Sequence, residues 1–593
     1  MPHGGARKNA GRPKGQGKFG KPTKPVRIPT SLIASVIDFV HENGYILPFY
    51  GHKVQAGFPS PADDYIQEKI DLNKHLIKNP SATFLVRAMG DSMIGAGIHS
   101  GDVLVVDRSL EPKSGKIIIA AVDGQFGKTF VAKKWSKLAY ARKQRFSCHP
   151  YKQYARHSYL GCGYQCDSSC LGNYKMPFFA LVDCNNFYVS CERVFNPQLQ
   201  HRPVAILSNN DGCVVSRSEE SKKLGLPMGA PYFKYESFIR QNGIMVFSSN
   251  YTLYGDMSNR VMETLRPASD MMEIYSIDEA FLRWNDPLPP NLFDQACALR
   301  RRVKQWTGIP VSIGLAPTKT LAKIAANIAK NQCHESVFDI SEPTQQNSVL
   351  STFNVDDVWG VSDGLGKRLR EMGVYSALDL KNSDPAFMRR HLTVVVERIV
   401  RELNGQSCIP MEGLGPRRNI MYSRSFGRPV YQLSELQQAI ADYTSRAAQK
   451  MRRQGSLAQA IHVFIATSRH QDGANRYYAG LTVGLSSATD NSSNLLKQAQ
   501  RMINDLFKPN RRYQKAGVTL LNLVQNTQAA PNLFLEAPSQ NPLMRIMDQI
   551  NRQFGQDKIF LAAQGTTRPW QMRCKMRSPL YTTNWDELVT VKA

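Results

Sequence analysis

The stretch Ile274-Tyr275-Ser276-Ile277-Asp278-Glu279-Ala280-Phe281 sets two adjacent acids inside an apolar run of β character. Upstream, Phe178-Phe179-Ala180-Leu181-Val182-Asp183 is a second apolar strand, and it too ends in an acid. Carboxylates in such strands are costly unless a cation neutralises them. Three acids on neighbouring strands, Asp183, Asp278 and Glu279, suit two hard divalent ions, Mg²⁺ above all. Each acid taken alone also fits a strand end or a turn.

The chain around these acids has 593 residues, too many for one compact core, and the length predicts about three to five domains. With 42% apolar and 21% charged residues it can build cores, which excludes global disorder. Lys and Arg total 75 against 48 Asp and Glu, and the net charge of +27 favours a polyanionic partner. No run approaches the ~18 consecutive apolar residues of a membrane span, so the expected partner is nucleic acid. The basic N-terminal stretch lacks the apolar core of a secretory signal. Eleven scattered cysteines suit free thiols, and together these features predict a cytoplasmic protein.

The charge is uneven. Residues 1–30 carry eight basic groups and no acid, and residues 127–175 carry ten against Asp167 alone, so these two segments hold 17 of the +27. The first is glycine-rich and opens a flexible basic arm over residues 1–56, with a helix expected near 31–42. The second has no sustained period and reads as an irregular basic junction. Its thiols, including Cys162, Cys166 and Cys170, lack the paired Cys-x2-Cys of a strong zinc site. The junction is expected to be fused or out-of-frame coding sequence joining two ordinarily separate genes.

Residues 57–126 read as a small β domain, with short apolar strands at 83–87, 103–107 and 116–122 between Gly and Asp turns. Ala56-Gly57-Phe58-Pro59-Ser60-Pro61, Gly90-Asp91-Ser92-Met93 and Ala120-Ala121-Val122-Asp123-Gly124 resemble the LexA-like family of self-cleaving serine peptidases, in its UmuD branch. The resemblance implies that Ser92 is a nucleophile activated by a neutral lysine acting as general base. It also implies a scissile bond at Ala56-Gly57, whose cleavage removes the arm. The family's lysine spacing falls on Thr129; a hairpin longer by four residues places Lys133 there, and Lys128 is the other candidate. The likeness stops after Lys134, so the domain reads as truncated.

The three acids belong to an ordered set. Asp183-x-Asn185-x-Phe187-Tyr188-x-Ser190-Cys191-Glu192, Ser208-Asn209-Asn210-Asp211-Gly212-Cys213, Ser248-Ser249-Asn250-Tyr251, the run holding Asp278-Glu279, and Gly314-Leu315-Ala316-Pro317-Thr318-Lys319 together resemble the Y-family translesion DNA polymerases of the UmuC type. The resemblance covers 176–593 and implies a multidomain α+β chain in which the truncated LexA-like domain precedes a right hand. Palm and fingers would occupy 176–345, a helix-hairpin-helix thumb 346–415 and a little finger 416–525. A clamp-peptide region and a UmuC-type C-terminal tail would fill 526–593.

Carried onto this sequence, the resemblance makes Asp183, Asp278 and Glu279 catalytic, holding two Mg²⁺ ions with the backbone carbonyl of Cys184. Tyr188 becomes the steric gate against a ribose 2′-hydroxyl. Ser216, Lys222 and Lys330 become triphosphate ligands, while Lys319 and Lys323 read equally as ordinary helix-face lysines. The hairpin spans 355–369, with Ser362 where a turn glycine is common, and its amides would meet a phosphate without reading bases. Basic groups on the little finger, which includes the segment from Arg446 to Arg453, would grip the duplex backbone. Leu533 and Phe534 would anchor a sliding-clamp peptide. The implied partners are primed and damaged DNA template, dNTPs, a RecA filament, a sliding clamp and UmuD-like subunits, within the SOS response. Two other readings compete with an error-prone polymerase: a self-cleaving serine protease regulator, and a non-catalytic DNA-binding accessory protein.

Overall fold

The structure is a computed structural model that describes residues 46–50, 66–71, 77–90, 92–96, 98–111, 117–122, 125–131, 177–285, 287–333, 335–411, 415–468, 476–525, 542–553 and 557–592. It divides into two compact units, Met1–Pro80 and Ser81–Ala593. In the first, β1 (Ile46–Tyr50) pairs antiparallel with β2 (Ile66–Asp71). The apolar run of β1 thus places a strand inside the segment expected to be an arm up to residue 56. The helix expected near 31–42 lies outside the described residues.

The second unit opens with β3 (Thr83–Met89) and β4 (Val103–Asp107), which are antiparallel, and a hairpin of β5 (Ile117–Val122) and β6 (Gln125–Val131). All three strands expected in the LexA-like domain are present. The hairpin runs on to Val131, past the boundary drawn at 126, because β6 pairs along the whole of β5.

The palm is a five-stranded sheet of β7 (Phe178–Cys184), β11 (Met271–Ile274), β12 (Glu279–Trp284), β13 (Val311–Ala316) and β14 (Val337–Asp339), in the order β11-β12-β7-β13-β14. A small fingers sheet, β8 (Val204–Leu207), β9 (Val214–Arg217) and β10 (Met245–Ser248), lies between β7 and β11 in sequence. The helices of this region are α1 (Phe187–Phe195), α2 (Glu219–Lys223), α3 (Tyr232–Gln241), α4 (Tyr251–Leu265), α5 (Leu292–Thr307) and α6 (Lys319–Asn331).

Strand alternation sorts the two faces of β7. Phe178, Ala180, Val182 and Cys184 join a core with Leu253 and Val261 of α4 and Leu299 and Val303 of α5. Phe179 and Leu181 join another with Leu321, Ile324 and Ala325 of α6. Both faces are covered, which is why β7 reads as a continuous apolar run rather than an alternating one. β12 divides the same way, Ala280 and Leu282 toward the first core and Phe281 toward the second. The odd-numbered Asp183 and Glu279 therefore share the α6 side. Gly314 of β13 lets α6 approach closely, since a Cβ there would meet the Ala326 backbone nitrogen at 2.1 Å.

The thumb comprises α7 (Pro343–Thr352), α8 (Asp363–Glu371), α9 (Ala377–Lys381), α10 (Pro385–His391) and α11 (Val394–Leu403). Ser362 caps α8 with φ −88°, an ordinary extended conformation, while the left-handed position of the turn is taken by Gly360 at φ +94°. A serine at 362 therefore leaves the hairpin unstrained.

The little finger is a sheet of β15 (Ile420–Val430), β16 (Ser456–Thr467), β17 (Tyr478–Thr489), β18 (Tyr513–Leu521) and the short β19 (Val524–Gln525), packed against α12 (Leu433–Arg453) and α13 (Ser492–Leu506). The tail adds α14 (Pro542–Gln553) and ends in β20 (Val589–Lys592), which pairs parallel with β3 far back in the sequence. Among the described residues no helix is long and apolar enough to cross a membrane.

Candidate active site

Asp183 and Glu279 are register partners on the adjacent strands β7 and β12, so their carboxylates leave the same face at the same end of the sheet. Asp278 stands one residue before β12. Its carbonyl accepts from the Cys184 amide at 2.8 Å, and its carboxylate accepts from Ser276 Oγ at 2.5 Å. The three acids expected to act together are thus gathered at one sheet end. Among the described residues no three His, Cys, Asp or Glu side chains close into a ready-made metal cage.

Cations do neutralise the strand acids, and they come from α6. Lys330 Nζ lies 2.6 Å from Asp183 Oδ1, and Lys323 Nζ lies 3.1 Å from both oxygens of Glu279. Lys319, one turn before Lys323, is buried and pairs with Glu273 while donating to the Pro410 carbonyl. Burial raises the Asp183 carboxyl above its usual range, against the pull of Lys330. Burial likewise raises Glu279, opposed by Lys323 and helped by Asp183 and Asp278. Asp183, Asp278 and Glu279 set three carboxylates beside two lysines, and these hard oxygen donors fit divalent cations. A cavity of about 290 Å³ opens over these groups, bounded by Asp183, Glu279, Lys323, Asn327, Lys330 and Trp359. It lies between the palm and the thumb.

Tyr188 on α1 stacks on Tyr254 of α4, with ring centroids 4.6 Å apart and planes 13° apart, and meets Tyr251 edge-on. Burial pushes the Tyr188 phenol up to about 12, so it stays protonated. Ser216 is buried in β9 of the fingers. Lys222 pairs with Glu219 at 2.6 Å, and Asn186 Nδ2 donates to the same Glu219 oxygen at 3.0 Å. Glu219 thereby holds a lysine expected to contact phosphate.

Two basic residues expected on the DNA-gripping little finger are engaged elsewhere. Arg446 pairs with Asp442 and Asp557, and Arg452 with Asp548, because α12 is covered by the tail rather than open to solvent. Ser92 lies exposed in the turn after β3. Lys133, Ala56, Gly57, Leu533 and Phe534 lie outside the described residues.

Lys323 reached the site although its sequence context left it open, and the signal was present: 319, 323 and 330 fall on one helical face. Glu192 and Tyr254, buried behind Tyr188, were not singled out. Glu192 lies four residues after Tyr188 on α1, the spacing that brings two helical side chains together.

Residues 182–327 match the impB/mucB/samB family, and 417–533 match that family's C-terminal domain. Residues 48–138 match a Peptidase S24-like family, and 541–591 a domain of unknown function (DUF4113). Protein UmuC of Salmonella typhimurium is 40% identical over 421 residues, 70% of this chain and 100% of that protein. Protein ImpB of the same organism is 40% identical over 420 residues, 69% of this chain and 98% of its own. Protein ImpA of Salmonella typhimurium is 49% identical over 85 residues, 14% of this chain, which spans 59% of that relative. Among solved structures, a Y-family DNA polymerase chimera aligns over 59% of this chain and 100% of its own, with TM-score 0.48 and 21% identity.

Proposed function

Since the chain belongs to the impB/mucB/samB family, the UmuC-type Y-family translesion DNA polymerases, we propose that it extends primers across damaged template bases in the SOS response. The observation that carries the site assignment is the register of Asp183 against Glu279 with Asp278 alongside, opening on a cavity of about 290 Å³. Asp183, Asp278, Glu279 and the Cys184 carbonyl would hold two Mg²⁺ ions, which when bound acidify the primer 3′-hydroxyl and offset charge on the leaving pyrophosphate.

The chain's own residues do the rest. Lys330 and Lys222 present their ammonium groups to the triphosphate, exchanging the carboxylates of Asp183 and Glu219 for phosphate oxygens. Ser216 supplies a hydroxyl from β9. Tyr188, seated on Tyr254, fills the space a 2′-hydroxyl would need. The thumb hairpin holds duplex backbone through amides at the start of α8, and the little finger does so through charge. Leu533 and Phe534 dock on a sliding clamp, and a RecA filament and UmuD-like subunits complete the assembly.

Primer extension opposite an abasic site in the presence of Mg²⁺ tests the proposal. Asp278→Ala should abolish incorporation while leaving primer-template binding in place. Extension at the wild-type rate by that variant would defeat the assignment.

A further inference from the structure

Behind the gate lies a buried carboxyl that the chemistry above does not use. Glu192 is 1% exposed, and its Oε1 accepts two hydrogen bonds. One comes from Tyr254 Oη at 2.7 Å, the ring on which Tyr188 stacks. The other comes from Ser578 Oγ at 2.9 Å, a residue of the tail almost four hundred positions away.

The tail is anchored at that point. Asn250, itself the cap of α4, donates Nδ2 to the Ser578 carbonyl and hydroxyl at 3.0 Å each and to the Pro579 carbonyl at 3.2 Å. Tyr581 stacks on Phe195 at the far end of α1, 4.9 Å between centroids. Upstream, Met576 exchanges hydrogen bonds with Ser248, Arg573 N donates to Asn210, and Trp570 sits in the little-finger core. Downstream, β20 pairs with β3. The segment is thus a strap from little finger to fingers to palm, and its Ser578 hydroxyl bonds Glu192, which also accepts from Tyr254, the ring that carries Tyr188.

We infer that the C-terminal tail takes part in sugar selection: Ser578 is a positioning residue that, through Glu192 and Tyr254, seats the Tyr188 ring. The inference rests on the reading of Tyr188 as the steric gate. A carboxyl buried among apolar groups keeps a fixed rotamer only while its donors are in place. Loss of the Ser578 donor frees Glu192 to turn, Tyr254 loses a fixed acceptor, and the platform under Tyr188 loosens. The 541–591 segment, matched only as a domain of unknown function, thereby acquires a role at the site.

The test is single-nucleotide incorporation by the full chain on a primed template, comparing kcat/KM for a ribonucleotide and for the matching deoxynucleotide. Ser578→Ala should raise the ribo-to-deoxy ratio by about ten-fold, the size expected when a buried hydrogen bond to a carboxyl is removed. Ser578→Cys, which conserves volume with a weak donor, should raise it in the same direction, and Ser578→Thr should restore the wild-type ratio. A purely structural tail would lower both rates together and leave the ratio unmoved. Tyr188→Ala separates the two ideas. If it raises the ratio while both Ser578→Ala and Ser578→Cys leave it at the wild-type value, the inference about the tail is overturned and the gate stands. If Tyr188→Ala itself leaves the ratio unmoved, the gate reading falls and the inference with it.

Discussion

Replacing Gly314 by alanine should damage stability and catalysis together, because one backbone contact serves both. The added Cβ would lie 2.1 Å from Ala326 N, 2.5 Å from Ala322 O and 2.6 Å from Ala325 C, all backbone atoms of α6 that no rotamer change can clear. The helix has to retreat by about 1 Å before these contacts become ordinary ones. Overpacking of this kind costs about 1–3 kcal/mol, and three backbone clashes place Gly314→Ala at the upper end. The same retreat carries Lys323 and Lys330 away from Glu279 and Asp183. Displacements of about 1 Å at a reacting centre cost on the order of 10²-fold in rate. Urea unfolding followed by circular dichroism, with primer extension on the same preparation, measures both effects. Gly255 is the internal control: it lies within α4 with nothing inside 4 Å of an added Cβ, so Gly255→Ala should stabilise by about 0.5–1 kcal/mol. A Gly314→Ala protein within about 0.5 kcal/mol of wild type and fully active would refute the close-approach argument.

Glu192 should make the palm less stable as pH rises. Burial lifts its carboxyl from 4.5 to about 7, against the hydrogen bonds from Tyr254 and Ser578. Between those values the folded state binds more protons than the unfolded chain, so stability falls from about pH 4.5 to about pH 7 and then levels, by about 3 kcal/mol in all. Glu192→Gln should flatten that decline in unfolding curves taken from pH 5 to 8, and parallel curves for the two proteins would contradict it. Lys319→Met should cost about 3–5 kcal/mol by taking from the buried Glu273 the lysine that pairs with it, a loss that the double variant with Glu273→Leu should largely recover. Equal destabilisation by the single and double variants would show that the pair is not coupled.

The palm was legible because its signals are local. Continuous apolar strands ending in acids follow from backbone periodicity within a few residues, whereas Lys319 and Lys323 read equally as ordinary helix-face lysines. The same periodicity announced β3, β4 and β5. It could not announce where Lys330 points, since Asp183 is held by a residue on another element whose approach depends on Gly314. Nor did it announce that Arg446 and Arg452 face tail acids, because basic residues on an amphipathic helix look alike whether they meet DNA or a covering segment.

Residue type placed three carboxylates on neighbouring strands where they suit hard divalent ions, and only the resemblance to the Y-family polymerases joined them into one expected catalytic set. The folded chain decided which long-range partners hold them. The tail shows the difference most plainly. From 541 onward its residues carry only the resemblance to a UmuC-type tail, yet in three dimensions Ser578 reaches Glu192, the acceptor of Tyr254, and β20 extends the sheet of β3. Buried hydrogen bonds between segments hundreds of residues apart leave no periodic trace, because they are specified by packing geometry rather than by the chain's local conformation.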